Sequence, residues 1–158
     1  MDMKTLVQGI QTALKNAATL SYVADADIFV TPDEYLVPIG CTFPAIGIKD
    51  GPIIKDKEAT ASGTKLAWDV RYNAHIIIYV EMTAGETPVV GQATPTTIKG
   101  ILDIAGDINT VLHENYLSIS GVLDAYCVGE TESETIGTED MPILKKRLTY
   151  EYMVLPSL

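Results

Sequence analysis

The residues best able to do chemistry in this 158-residue sequence are few and scattered. There are two histidines, His75 and His113, and two cysteines, Cys41 and Cys127, far apart along the chain. No CxxC pair and no Cys/His cluster occurs, so neither a zinc site nor a redox motif is supported. Two free, buried thiols are expected, with a single Cys41–Cys127 disulfide as the alternative. His75 falls in a strand pattern. His113 falls in the last turn of a helix pattern, where a protonated ring interacts well with the helix dipole. Neither has a carboxylate or cysteine at ligand spacing. Asp103 and Asp107 share a helix face with Lys99, as an acid–base pair might, but carboxylates at i, i+4 read first as a solvated face. Asp25 and Asp27 lack the glycine and terminal glutamate of a calcium loop. No serine sits in a GxSxG elbow, and the glycines form neither GxGxxG nor a P-loop. Gly47-Ile48-Lys49-Asp50-Gly51 is read as a turn, because no helix follows to receive a phosphate. The sequence therefore calls for no catalytic residue, no metal and no cofactor.

The charge pattern carries more. Acidic residues outnumber Lys and Arg by 21 to 11, a net charge of -10, which argues against unspecific nucleic-acid binding because phosphate neutralisation needs clustered cations. Glu130, Glu132, Glu134, Glu139 and Asp140 form an acidic stretch with no basic residue among them, expected to be a hairpin tip and a candidate acidic surface. Lys145-Lys146-Arg147 follows. On a strand, successive side chains alternate faces, so the triplet cannot form one anion patch. Pairing with the acidic tip, in the same chain or a neighbouring copy, is the expectation. Tyr150 and Tyr152 read as core or interface, not as a base-stacking platform, since the surrounding charge is wrong.

The elements that must position these residues follow from periodicity. Met3, Leu6, Val7, Ile10, Ala13, Leu14, Ala17 and Ala18 recur at helical spacing over 3–18. Ile28–Val30 reads as a short strand, and Thr31-Pro32-Asp33-Glu34 as a turn. A strand over 43–48 is expected to end at Asp50-Gly51-Pro52. Residues 53–67 and 83–97 read as long loops. Between them, Trp68 to Met82 alternates onto one face, and Ile77 and Tyr79 add apolar bulk to the other, so this strand is expected to be central and covered on both sides. Thr94-Pro95 is expected to open a helix over 96–114, in which Gly100 and Gly106 imply close approach of a neighbouring backbone. Strands over 122–130 and 143–154 close the chain. The fold class is α+β: a mostly antiparallel sheet flanked by two helices in a single domain over 1–158. At 47% hydrophobic residues, this length supports a core without disulfide or metal. The first residues lack the features of a secretory signal, and the longest apolar run, Ile76–Val80, is far short of the roughly 20 residues that span a bilayer.

The Ala17-Ala18-Thr19-Leu20 helix end, Thr31-Pro32-Asp33-Glu34, the Phe43-Pro44-Ala45-Ile46-Gly47-Ile48-Lys49-Asp50-Gly51 segment, the Tyr72–Val80 strand and Ile98-Lys99-Gly100-Ile101-Leu102-Asp103-Ile104 occur in an order that resembles the tail terminator, or tail-completion, proteins of tailed bacteriophages. The resemblance runs over nearly the whole chain as element order and texture, and "PAIGIKDG" is its most specific piece. It implies a structural virion protein, not an enzyme, assembled in the host bacterial cytoplasm. Copies would form a homo-oligomeric, hexameric ring that caps the tail tube, ends its polymerisation and joins the tail to the head connector. The implied partners are the chain itself, the tail tube protein and the head–tail connector or neck proteins, with the sheath as a further candidate. DNA would meet the ring only in transit through its lumen, for which Glu130, Glu132, Glu134, Glu139 and Asp140 are candidate lining residues; no membrane is involved. The alternatives are a connector, neck or tube subunit and, from a different class, a small-ligand-binding module with a pocket near His75, Asp69 and Arg71.

Overall fold

The structure is a computed structural model that describes residues 1–57, 68–83, 85–92 and 98–155. The chain opens with α1 (Met3–Asn16), whose first turn is capped by Asp2, its carboxylate accepting from the Thr5 amide at 2.7 Å. The apolar stripe buries Leu6, Val7, Ile10 and Leu14. Two single-turn 3-10 helices, Ala18–Leu20 and Asp25–Asp27, lead into β1 (Ile28–Val30). Then come β2 (Ala45–Lys57), β3 (Trp68–Glu81), the one-turn helix α2 (Thr87–Val90), α3 (Ile101–Leu112), β4 (Val122–Glu130), β5 (Glu134–Thr138) and β6 (Met141–Val154).

The six strands make one open sheet in the order β1-β2-β3-β6-β4, antiparallel except for the β1–β2 pair. β3 and β6 are the long central pair, in register from Val70↔Val154 to Glu81↔Ile143. On its outer side β6 carries two strands end to end, β4 along 148–154 and β5 along 141–145. Alternation assigns the two faces. Ile76 and Ile78 of β3 and Leu148, Tyr150 and Tyr152 of β6 pack with Leu6, Ile10, Leu14, Ile104 and Ile108 of the helices. Ile77, Tyr79, Ala45 and Ile143 point the other way and are buried as well. The expected α+β fold with a doubly covered central strand is present. The second cover, however, is the non-helical segment 31–44, with Val37, Cys41 and Phe43 packed on that face. Gly47 makes this close contact feasible: a Cβ there would meet Thr31, Tyr79 and Phe29 at 3.2–3.3 Å.

Several expected boundaries shift. Asp50-Gly51-Pro52 does not end a strand. β2 continues to Lys57, with a register irregularity between Asp50 and Ile53. The broken ladder is the reason for the signal: Pro52 has no amide to give, and its carbonyl takes a bond from Asn73 Nδ2 at 3.1 Å. The span read as a loop over 53–67 thus begins in strand, and 58–67 lies outside the described residues. Within 83–97, residues 87–90 form α2; residue 84 and residues 93–97, including Thr94-Pro95, lie outside the described residues. The second helix starts at Ile101, not 96, and its opening is fixed by the Asp103 carboxylate, which accepts from the Gly100 amide at 3.0 Å. A Cβ on Gly100 would lie 2.4 Å from the Gly91 nitrogen and 2.5 Å from the Val89 carbonyl oxygen, so close backbone approach does require this glycine. At Gly106 a Cβ would meet nothing within 4 Å, which corrects the same expectation there. The acidic stretch is not a single hairpin tip, since β5 lies inside it and only Glu139-Asp140 forms the turn into β6.

Two outcomes test this core. Ile108→Ala removes a fully buried side chain at the helix–sheet seam and is expected to lower unfolding free energy by about 2–5 kcal/mol in urea titration. Tyr152→Phe is expected to leave stability unchanged or slightly higher in the same titration, because the buried Tyr152 hydroxyl has no hydrogen-bond partner among the described residues.

Candidate functional site

The densest set of charged contacts lies where segment 31–44 crosses the ends of β3 and β6. Lys145 and Arg147 fall two apart on β6 and so share the face under this segment. Lys146 points to the helix side. Glu34 sits between the first two. Its carboxylate is 3.0 Å from Lys145 Nζ and accepts from Arg147 Nη1 at 3.0 Å. Lys145 is almost fully buried and also bonds Glu134 on β5 at 2.8 Å. The Tyr35 ring lies 4.5 Å from Lys145 Nζ, a cation–π contact. Tyr79 donates its hydroxyl to the Glu34 carbonyl at 2.6 Å and stacks on Phe29. Burial alone would lower the Lys145 pKa, but Glu134 and Glu34 outweigh it and hold the amine above 10.5. The Lys145 hydrogen bond holds the Glu134 carboxyl below 4.5. The other end of the segment is tied by Asp27, which accepts from the Thr42 hydroxyl and from its amide at 3.1 Å. The Thr42 hydroxyl bond is the main cause of the lowered Asp27 pKa.

The predicted triplet pairing therefore occurs within one chain, since Lys146 meets Glu130 at 3.4 Å and the Thr131 carbonyl at 2.7 Å. Of the five acidic candidates, Glu130 and Glu134 hold these lysines. Glu132, Glu139 and Asp140 are exposed and enter no ion pair among the described residues. Asp103 and Asp107 are not simply solvated. Asp103 caps α3, while Asp107 accepts from the Tyr22 hydroxyl at 2.7 Å and pairs with Lys99 at 3.1 Å. His75 is a hydrogen-bonded sheet residue, with Nδ1 3.0 Å from Thr149 Oγ1. Burial, then Arg147 and Lys49, push its pKa down from 6.5. Arg71 approaches Glu151 at 4.0 Å. His113 caps the end of α3. Both cysteines are free and only partly buried, and desolvation raises the Cys41 thiol to about 11, so it stays protonated.

Among the described residues, no group of three or more His, Cys, Asp or Glu could hold a metal ion, and no helix is long and apolar enough to cross a membrane. Two surface grooves stand out. One of about 520 Å³ lies between α1 and residues 115–119, and one of about 220 Å³ between Phe43-Pro44 and α2. Neither is lined by His75 or Arg71. What the arrangement can do chemically is hold surfaces in place. Sequence reasoning missed Glu34, the hub of the cluster, because its partners lie more than a hundred residues away. The one available signal was a strand with three consecutive cations, which had to find anions on both faces.

No protein-family model matches the sequence, and a search of curated proteins finds no match. In structure, the fold is similar to a chain of the solved virion of a native gene transfer agent particle, with a TM-score of 0.58 at 14% sequence identity. The similarity covers 96% of this chain and 95% of that one.

The ionic cluster yields two outcomes. Glu34→Ala strands Arg147 and half-strands Lys145, and is expected to cost about 3 kcal/mol of unfolding free energy, the lower end for a buried pair losing one member. The stability difference between wild type and Glu134→Gln is expected to be constant from pH 4.5 to 10.5. It should shrink below 4.5, as Glu134 protonates through its lowered folded pKa, and above 10.5, as Lys145 deprotonates through its raised one. Thermal melts of both proteins across pH check this.

Proposed function

We propose that this protein is a structural component of a phage-like virion and, within that class, a tail terminator. The observation that carries the reading is the end-to-end fold similarity to a chain of a virion particle, at near-equal length. The sequence resemblance to tail terminators points the same way. On this reading, copies form a closed ring of about six protomers. The ring caps the tail tube, stops its growth and offers a surface to the head connector, and the tube protein and neck proteins are its partners. Protomers in such a ring meet head-to-tail, through two different surfaces of the same chain. The function requires no chemistry, and the charged residues serve to hold segments and surfaces in position.

The acidic stretch Glu130, Glu132, Glu134, Glu139 and Asp140 is placed toward the lumen in this proposal. Negative walls repel phosphate, so DNA would pass without adhering. A ring whose lumen is lined mainly by Lys and Arg would overturn that placement. The reading as a whole is checked by light scattering coupled to size exclusion, with negative-stain microscopy of the same fraction. Ring-shaped particles of about six protomers that bind the ends of purified tail tubes are expected. A strict monomer at high concentration that adds to no tube would overturn it.

A further inference from the structure

We propose that the β5–β6 turn of one copy, Glu139-Asp140-Met141, docks in the groove between α1 and residues 115–119 of a second copy. The inference rests on the ring reading and names the two surfaces that meet. The turn and the groove lie at opposite ends of the molecule. The turn opens β6, while the 115–121 loop is tied to the other end of that strand through the Leu155 amide, which donates to the Gly121 carbonyl at 2.8 Å. At about 3.3 Å per residue, β6 separates them by roughly 40 Å, so they cannot meet within one chain.

The turn carries two acids, Glu139 and Asp140, and α1 beside the groove carries two lysines, Lys4 and Lys15, with Asp2 capping the same helix and Glu114 preceding the groove loop. Lys4 and Lys15 lie about three turns apart on one side of α1, with Gln8 of the groove rim between them. Neither lysine enters an ion pair among the described residues, and neither do Glu139 and Asp140. The remaining contacts are apolar. Met141 is 60% exposed at the turn and supplies its apolar side chain. The groove offers Ala13, Leu117 and Ile119, and Gly9 brings its wall close: a Cβ there would lie 3.1 Å from Ile119 Cδ1. The groove is also preformed. Leu117 and Ser118 have φ of 55° and 54°, a conformation that L residues adopt at a cost. Asn115 holds the loop in it by donating to the Val111 carbonyl at 2.8 Å and accepting from the Leu117 amide at 2.9 Å. The contact takes Glu139 and Asp140 out of the lumen and leaves Glu130, Glu132 and Glu134 there.

Light scattering at matched concentration on four full-length proteins tests the contact: wild type, E139K/D140K, K4E/K15E and the quadruple variant. Circular dichroism confirms that each is folded. Wild type is expected to be oligomeric. Each double variant should associate at least tenfold more weakly, and the quadruple variant, with both signs reversed, should recover. Met141→Ser, which changes no charge, should weaken association alone. An oligomeric wild type matched by an equally oligomeric E139K/D140K, or a quadruple variant that does not recover, overturns this contact and leaves the ring reading standing. A monomeric wild type overturns both.

Discussion

Lys145 stands almost without solvent on a strand that is packed on both faces, and an ammonium in that position is tolerable only if anions reach it there. Glu34 and Glu134 do so from two directions. Glu34 belongs to the segment that covers Ile77, Tyr79 and Ile143, so the ion pairs and the second core depend on each other. Without the carboxylate the lysine is stranded, and without the apolar cover the carboxylate is not held. Asp27 performs the matching task at the far end of the segment through Thr42. A stretch lacking helix or strand is thus fixed at both ends, and the central β3–β6 pair can be apolar on both sides without a second layer of helices.

The sheet edges follow a different logic. β4 is interrupted by two register shifts, and its Ala125 carbonyl is taken by the Glu114 amide. Beyond Ile48, where β1 stops, the outer edge of β2 carries the Asp50–Ile53 irregularity, Pro52 and Lys55. Bulges, proline and lysine are the features that discourage strand addition at an edge. Self-association by extending the sheet is therefore disfavoured on both sides. With its edges blunted, the chain leaves side-chain surfaces, such as the β5–β6 turn and the groove between α1 and residues 115–119, as its open faces.

Much of the fold was legible because it is written in local periodicity. α1, the doubly apolar β3, β4 and β6 each carry a pattern long enough to read, and Gly100 announced a close backbone contact. The errors have specific causes. Asp50-Gly51-Pro52 is a turn signal that a bulge satisfies equally well. β5, with Glu134, Thr135, Gly137 and Thr138, has too little apolar content to stand out, and it forms because β6 offers it an edge. The site was legible only in part. Lys145-Lys146-Arg147 required partners, and Glu130 and Glu134 were near enough in sequence to be named as such. Glu34 looked like the end of a turn, since nothing local marks a carboxylate that will be used across the sheet.

Net charge proves a poor guide to surface character until the internal pairs are subtracted. Asp107 is bound to Tyr22 and Lys99, Asp103 to its own helix end, Glu34 to two cations, and Glu130 and Glu134 to the lysines of β6. These acids are structural, each tied to a partner within the chain. Among the described residues, Glu132, Glu139, Asp140, Lys4 and Lys15 enter no ion pair, and neither do Asp25, Lys55, Glu81, Glu86 and Asp124. Lys4 and Lys15 share their end of the molecule with Asp2, Glu114 and Asp124, so contact between the β5–β6 turn and the groove rests on their local match and not on a charge dipole along β6. A contact between two different surfaces of one chain, repeated from copy to copy, is the geometry from which closed rings are built.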